Sequence, residues 1–256
     1  MNRAVNQNKI ESWVKTRRDI HAHPELRYQE NRTSDIIAKR LVELGYKVEK
    51  DIGVTGVVGV LQGKRGPGKS IGLRADMDAL PIQEKNQFDH ASRHPGKMHA
   101  CGHDGHIAML LGAAQEFAEN PDFSGSVVLI FQPAEEGGAG AQRMIEDGLF
   151  ERYPVDAVFA MHNWPGLREG EFAAHTGPVM ASSNEFSVTI HAKGAHAAMP
   201  DLGIDPVVIA AQLIIAFQTI ISRTCKPVDP AVLSVTQIQA GEAINVIPDH
   251  AVLQGT

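Results

Sequence analysis

The sequence of 256 residues is 43% hydrophobic and 21% charged, which is ordinary for a globular protein of one large or two smaller domains. Its formal net charge of −6 argues against a general nucleic-acid-binding protein, because contacts to phosphates require a basic surface. We therefore expect no nucleic-acid partner.

Two cysteines, Cys101 and Cys225, are too few for a disulfide framework and favour a reducing, cytoplasmic setting. Residues 1–18 are polar and charged and lack the apolar core of a signal peptide. An uninterrupted apolar stretch of about 18 residues is also missing, so we expect no membrane span.

In chain order, the hydrophobic pattern first predicts alternating helices and strands. The predicted helices cover residues 10–20, 33–44 and 106–117, and the predicted strands cover residues 56–61, 70–73, 126–131 and 157–161. Such alternation is typical of an α/β fold with a mostly parallel sheet and helices on both faces. These elements and their loops make up a first predicted domain, residues 1–182.

The pattern changes in the second predicted domain, residues 183–256. Apolar and polar residues alternate over 186–190, which predicts a half-buried strand. Asp205 before Pro206 predicts the start of a helix that runs to about residue 222. Further strands are predicted over 232–239 and 251–254, giving an open-faced β-α-β-β unit.

Polar clusters lie where ligands gather in an α/β sheet, at the carboxyl ends of strands. They occupy residues 74–78, 132–138 and 162–163, and a fourth cluster at 99–106 leads into a helix. Together they offer thiolate, imidazole and carboxylate groups, which is the ligand set expected for zinc or a similar divalent metal.

Several of the candidate residues also have a simpler explanation. A lone Cys-x-His is a weak metal signal, the pair Glu135–Glu136 could be a solvated surface, and His162 could be a core histidine. His196, flanked by small residues, could be a loop histidine in a tight turn. The coincidence of several clusters at strand ends favours a metal site.

Seven motifs in this sequence resemble amidohydrolases of the M20 peptidase family, of the hippurate hydrolase and indole-acetyl-amino-acid hydrolase type. They are RRDIHAHPEL (17–26), GLRADMDALPIQE (72–84), MHACGHDGHIAMLLGAA (98–114), FQPAEEGGAGA (131–141), MHNWPG (161–166), GAHAAMP (194–200) and NVIPD (245–249). The resemblance implies cleavage of the amide bond of N-acyl amino acids.

The resemblance also implies a pair of divalent ions, Zn, Mn, Ni or Co. Cys101, His103, Glu136 and His162 match the family's metal ligands, and Cys101 would be shared between the ions. Glu135 matches the general base that takes a proton from the attacking water and passes it to the leaving amine.

Further residues match supporting positions of the family. Asp76 matches the acidic residue of the first catalytic motif and is expected to orient a ligand, while Arg74 replaces a histidine of other branches. His196 matches a histidine that stabilises the oxyanion in the active site of the partner subunit, and Asn245 matches a substrate contact. His21, His23, His99 and His106 are expected to be structural or supporting.

The family's fold implies a zinc-exopeptidase-like catalytic domain, here residues 1–182, and a ferredoxin-like lid and dimerisation domain, here residues 183–256. By this comparison both are incomplete, since the sequence stops before the last lid elements and before a returning segment with one more histidine ligand. The resemblance implies that the full-length family enzyme is a homodimer. We expect this chain to be a fragment of such an enzyme or a natural truncation.

Two other functions compete with the metal-dependent amidohydrolase. Cys101 could be a nucleophile with a nearby histidine as base, which requires no metal. Alternatively, the chain could be a weakly active or inactive metal-binding or oligomerising fragment of such an enzyme.

Overall fold

The computed structural model describes residues 6–256, which divide into two compact units, one ending at Arg168 and the other comprising Glu169–Thr256. The catalytic and lid roles of the predicted domains 1–182 and 183–256 stay predictions. The first unit contains α1 (Gln7–Ala22), α2 (Asn31–Glu43), β1 (Lys47–Ile52), β2 (Gly56–Gln62), β3 (Ser70–Asp76), α3 (His103–Glu119), β4 (Ser126–Gln132), α4 (Gly140–Glu146), α5 (Leu149–Arg152) and β5 (Ala157–Ala160).

The strands of the first unit form one sheet in the order β1-β2-β4-β3-β5. β3 runs parallel to β4 and β5, whereas β1 pairs with β2, and β2 with β4, in antiparallel orientation. The α/β class is confirmed, but the expected mostly parallel sheet is a mixed one. The strand responsible is β2, which runs opposite to the other four strands. A short turn joins it to β1, a largely charged strand that the hydrophobic pattern misses, and only antiparallel strands can be joined so closely.

β4 lies in the middle of this sheet and is buried on both faces. Its alternate side chains enter two separate clusters, so helices cover both faces, as predicted. The first cluster includes Leu41 and Tyr46 around α2, Ile107 and Leu111 of α3, and Val127, Leu129 and Phe131 of β4. The second includes Val128 and Ile130 of β4, Met144 of α4 and Leu149 of α5.

The second unit contains β6 (Phe186–His191), β7 (Ala195–His196), α6 (Pro206–Thr219), β8 (Val235–Ala240), β9 (Val246–Ile247) and β10 (His250–Gly255). An antiparallel sheet in the order β6-β10-β8 packs against α6, and β7 pairs with β9. Asp205 accepts hydrogen bonds from the backbone of Val207 and Val208, which confirms the predicted helix start. The ferredoxin-like topology itself stays a prediction.

α6 continues into a π-helical turn, and the combined helix Pro206–Thr224 is long and apolar enough to cross a membrane. Length and composition alone are weak evidence for a span, and only 6% of this apolar window is buried within the described residues. One side of α6 packs on the sheet through Ala210, which is buried together with Ile190 and Leu253.

Tyr46 provides a pH-dependent test of the first core. Its hydroxyl donates a hydrogen bond to the Ala114 carbonyl at 2.9 Å, and burial raises the pKa of the phenol well above its usual value of 10.0. We expect Tyr46→Phe to lower the free energy of unfolding by about 1 kcal/mol at pH 7, because the carbonyl loses its donor.

The same substitution should matter less at high pH. Above pH 10 the unfolded chain loses the Tyr46 proton while the folded protein keeps it, so this group lowers wild-type stability by about 1.4 kcal/mol per pH unit. The stability difference between wild type and Tyr46→Phe should therefore shrink between pH 8 and pH 11 in denaturant unfolding. A constant difference would contradict the burial of this phenol.

Candidate metal centre

The carboxyl ends of β3, β4 and β5 meet at one edge of the sheet. In the parallel register Asp76 lies beside Gln132, and Arg74 lies beside Ala160. The segments that follow these strands carry Asp78, the pair Glu135–Glu136 and His162, respectively. The polar clusters predicted at strand ends are thus brought to one place by the strand register.

The segment with Cys101 enters this edge through the start of α3, whose first residue is His103. Gly102 precedes it with a φ of +90°, a conformation that L-residues with side chains rarely adopt. A Cβ atom at this position would lie 2.4 Å from Oδ1 of Asn163. Glycine therefore lets the start of α3 approach the segment after β5, where His162 lies.

Three groups of side chains in residues 6–256 could each hold a metal ion, with ligand atoms all within 4.8 Å of one another. His103 belongs to all three. The groups are Cys101, His103 and His162; His103, Glu135 and Glu136; and Asp76, His103 and His106. The structure thus brings together all the predicted ligands and the predicted base in the first unit.

The ligand atoms themselves fit a cation. Both ring nitrogens of His103 and Oε1 of Glu136 are buried without a hydrogen-bond partner in the part of the chain that the structure describes. Nε2 of His103 lies 3.8 Å from Oε1 of Glu136, too far for a hydrogen bond. Leaving such groups unpaired costs about 1–3 kcal/mol each, which a divalent ion would offset. The donor set of thiolate, imidazole and carboxylate suits zinc-like ions.

Asp76 is hydrogen-bonded to His106 rather than to a predicted ligand. Its Oδ1 lies 2.6 Å from Nδ1 of His106, while Nε2 of His103 is 3.7 Å away. Burial opposes the charge, but the hydrogen bond to His106 and the positive charges of His103 and Arg74 outweigh it and lower the pKa of Asp76 to about 2. On its other side, His106 binds the side chain and backbone of Asn163.

Cys101 lies beside His162, with 3.4 Å between Sγ and Nε2. Burial and the negative charges of Glu136, Glu135 and Asp76 raise the pKa of the Cys101 thiol to about 12 in the absence of metal. A nucleophilic cysteine requires the opposite shift, whereas a bound cation deprotonates a coordinating thiol directly. This environment favours a metal ligand over a nucleophile.

Sequence reasoning missed the part played by Asp78. This fully buried carboxylate accepts the backbone N–H groups of Glu135 and Glu136, and lies 3.4 Å from Nδ1 of His103. Burial opposes its charge, but His103 and the two N–H groups lower its pKa. The available signal was its spacing, because Asp76 and Asp78 are separated by the period of an extended strand.

The second unit brings two other predicted residues together. β7 pairs with β9, and the N–H of Ala197 donates to the carbonyl of Asn245 at 3.0 Å. Nδ1 of His196 accepts from the N–H of Ala198 at 3.1 Å, so the ring also caps the tight turn that follows. The predicted roles of His196 and Asn245 toward substrate stay predictions.

Gly102→Ala tests whether this glycine holds the centre together. We expect it to lower the free energy of unfolding of the metal-free protein by about 2 kcal/mol or more, because the left-handed conformation and the contact with Asn163 both penalise a side chain. Gly105→Ala is the matched control: nothing lies within 4 Å of the added Cβ and the position is helical, so stability should rise slightly. Equal effects in denaturant unfolding would contradict this explanation.

The model of the family "Peptidase family M20/M25/M40" matches residues 72–253. The chain is 47% identical to the N-acetyl-L-cysteine deacetylase of Bacillus subtilis, over 98% of this chain and 60% of that protein. It is also 47% identical to the hippurate hydrolase of Campylobacter jejuni, over 94% of this chain and 63% of the relative. The chain thus spans about three fifths of the length of these curated relatives.

Solved structures show the same likeness. A Bacillus subtilis protein, described as a dinuclear metal binding peptidase from the M20 family, superposes with a TM-score of 0.72 at 38% identity, covering 98% of this chain and 64% of that one. An aminohydrolase from methicillin-resistant Staphylococcus aureus, described as putative, superposes with a TM-score of 0.79 at 35% identity, covering 97% of this chain and 66% of that one. Because the family model matches most of this chain, residues 72–253, the chain belongs to peptidase family M20/M25/M40.

Proposed function

We propose that this protein is a binuclear metal-dependent amidohydrolase that cleaves N-acyl amino acids into a carboxylic acid and a free amino acid. The observation that carries the proposal is the buried imidazole of His103, which makes no hydrogen bond through either nitrogen in the described residues and is surrounded by the groups that a divalent ion would bind. The names of the relatives support this substrate class, since they include hippurate hydrolase and an N-acyl-L-amino acid amidohydrolase.

Cys101, His103, Glu136 and His162 would hold the two ions. When bound, the ions supply Lewis acidity, which polarises an amide carbonyl and lowers the pKa of water toward neutrality. The thiolate favours softer cations, and Zn, Mn, Ni and Co are the candidates that we propose.

Glu135 is the proposed general base. Its side chain is 43% exposed and its Oε2 lies 3.9 Å from Nε2 of His103, so the carboxylate can reach both the ligands and the solvent. It would take a proton from the attacking water and later deliver it to the nitrogen of the departing amino acid.

Asp76 has a supporting role in this proposal. It fixes the ring of His106, which in turn binds Asn163, the residue next to His162. Asp76 would therefore orient the His162 segment through two intervening residues. Such supporting groups typically change metal affinity or activity by about 10- to 100-fold when they are removed.

For the second unit we propose a role in substrate binding and in homodimerisation. Because Nδ1 of His196 accepts a backbone N–H, the neutral ring carries its proton on Nε2. That N–H is free to donate to an oxyanion, which we propose is in the partner subunit's active site. Asn245 is the proposed neighbouring substrate contact.

The remaining assignments follow from composition. We propose a cytoplasmic enzyme, because Cys101 and Cys225 are both free thiols. The net charge of −6 supports a small-molecule substrate rather than nucleic acid as partner. We also propose that the protein does not act on or bind to a membrane.

Metal removal tests the proposed chemistry. The chain loaded with Zn²⁺ or Mn²⁺ should hydrolyse N-benzoylglycine or N-acetyl amino acids, and complete chelation should remove the activity. Adding back the same ion should restore it. Activity that survives chelation would favour Cys101 as a nucleophile, whereas a fully metal-loaded chain without activity would favour the inactive metal-binding alternative.

The two adjacent glutamates should separate chemistry from metal binding. Glu135→Ala should lower kcat by about 10²- to 10⁴-fold while metal content stays near that of the wild type, because a general base is lost but no ligand. Glu136→Ala should lose metal, as measured by elemental analysis after dialysis. If both variants keep metal and activity, the assignment of these roles is wrong.

A further inference from the structure

The turn that joins β4 to α4 is bound through its backbone. Three consecutive N–H groups, those of Ala134, Glu135 and Glu136, all donate to carboxylates. Ala134 donates to Oε1 of Glu30 at 2.9 Å, whereas Glu135 and Glu136 donate to the two oxygens of Asp78, each at 2.9 Å. Successive N–H groups in a turn form a concavity that binds anions, and here the protein's own carboxylates fill it.

Both carboxylates are fully buried, at 0% exposure. Burying a carboxylate is unfavourable unless its oxygens receive hydrogen bonds, so these two groups are held only where donors converge on them. The second oxygen of Glu30 accepts the hydroxyl of Thr55 at 2.6 Å. Neither Glu30 nor Asp78 has a part in the proposed proton transfer or metal ligation, so their burial calls for another explanation.

The turn also contains a strained residue. Ala134 has a φ of +49° and is completely buried. The left-handed conformation is unfavourable for alanine and persists only where the surroundings enforce it. The hydrogen bonds from Ala134, Glu135 and Glu136 to the two carboxylates provide that enforcement.

Asp78 connects the turn to the centre of the site. Its Oδ1, which accepts the N–H of Glu135, also lies 3.4 Å from Nδ1 of His103. One carboxylate therefore contacts the backbone of both glutamates and the imidazole shared by all three potential ligand groups. Moving this carboxylate would change the distances from Glu135 and Glu136 to His103 together.

We propose that Asp78 and Glu30 are positioning residues, which fix the backbone of the Glu135–Glu136 turn against His103. The inference rests on the proposed function for the roles of those three residues. The two carboxylates differ in the hydrogen bonds that their oxygens must accept. Both oxygens of Asp78 must accept from backbone N–H groups, whereas Glu30 needs one oxygen for Ala134 and meets a hydroxyl, which can donate or accept, with the other.

Replacing each carboxylate by the amide of the same shape distinguishes the two hydrogen-bonding patterns. In Asp78→Asn an NH₂ group must face a backbone N–H, so one of the two hydrogen bonds is lost. In Glu30→Gln the amide oxygen can still accept from Ala134, while the NH₂ group donates to the Thr55 hydroxyl. We therefore expect Asp78→Asn to disturb the turn, Glu30→Gln to preserve it, and Glu30→Ala to disturb it again.

Two readouts do not depend on turnover. Amide hydrogen exchange at positions 134–136 of the metal-free chain should be faster by about tenfold or more in Asp78→Asn and Glu30→Ala, and within about threefold of wild type in Glu30→Gln. The affinity for Zn²⁺, measured by competition with a chromophoric chelator, should fall by about 10- to 100-fold in the first two variants and stay near wild type in the third.

Turnover adds a third readout. With N-benzoylglycine as substrate, Asp78→Asn should lower kcat by about 100-fold with KM within about threefold, because misplacing the base affects the reaction more than substrate binding. If Asp78→Asn does not fold, as judged by circular dichroism, the comparison of Glu30→Ala with Glu30→Gln decides the same question.

The proposal is overturned if Asp78→Asn folds and keeps wild-type exchange and Zn²⁺ affinity, or if Glu30→Gln is as impaired as Glu30→Ala. The outcomes also separate this proposal from the proposed function. A wild-type chain that hydrolyses no N-acyl amino acid, yet shows the expected pattern of exchange and Zn²⁺ affinity, contradicts the function and supports the positioning role. If the wild type is active and Asp78→Asn is unaffected, the proposed function is supported and the positioning role is contradicted.

Discussion

Two carboxylates are buried at the end of β3, those of Asp76 at 2% exposure and Asp78 at 0%, and buried charges must be compensated. Apart from Arg74 of β3 itself, the groups that compensate them come from distant parts of the chain. His106 and His103 come from α3, and the backbone of Glu135 and Glu136 comes from the turn after β4. The electrostatic requirement of β3 thus draws the start of α3 and the glutamate turn to the same edge of the sheet.

His103 is the centre of this arrangement, because it belongs to every group of potential ligands. It is fully buried, at the first position of α3, and its ring lies between Asp78 on one nitrogen and Asp76 and Glu136 on the other. A buried imidazole cannot rotate freely in a close-packed interior. Its orientation is therefore set by the fold, before any ligand is present.

Much of this could be predicted from sequence, because hydrophobic runs mark the buried strands and the polar residues that follow them mark the edge where ligands meet. The α/β class, the helix start at Asp205 and the meeting of the polar clusters at one sheet edge follow from local patterns, whereas the choice of Cys101, His103 and Glu136 as ligands came from the resemblance to a family. The mixed sheet could not be predicted in this way, since β2 runs opposite to β4 and no local pattern records the direction in which two strands pair. Strand order depends on long-range pairing that no local pattern records.

For His106 and Asp78 the sequence was less informative: a supporting role was expected for His106 but not its partners, and the contacts of Asp78 were missed. His106 lies within a motif rich in histidine, and spacing does not reveal that its ring faces Asp76 and Asn163 rather than a ligand position. Asp78 acts on backbone N–H groups, which every residue except proline carries, so no particular side chain in the glutamate turn signals the contact.

That choice of backbone groups has an evolutionary consequence. Because Asp78 and Glu30 accept hydrogen bonds from main-chain N–H groups, the path of the turn does not depend on which side chains are present at positions 135 and 136. The reactive groups can be exchanged one at a time while the frame beneath them stays in place. Asp78 has no such freedom, since an acceptor with two equivalent oxygens has few substitutes. New chemistry at this edge is therefore expected to arise through the side chains at positions 135 and 136, above the buried carboxylates that hold their backbone.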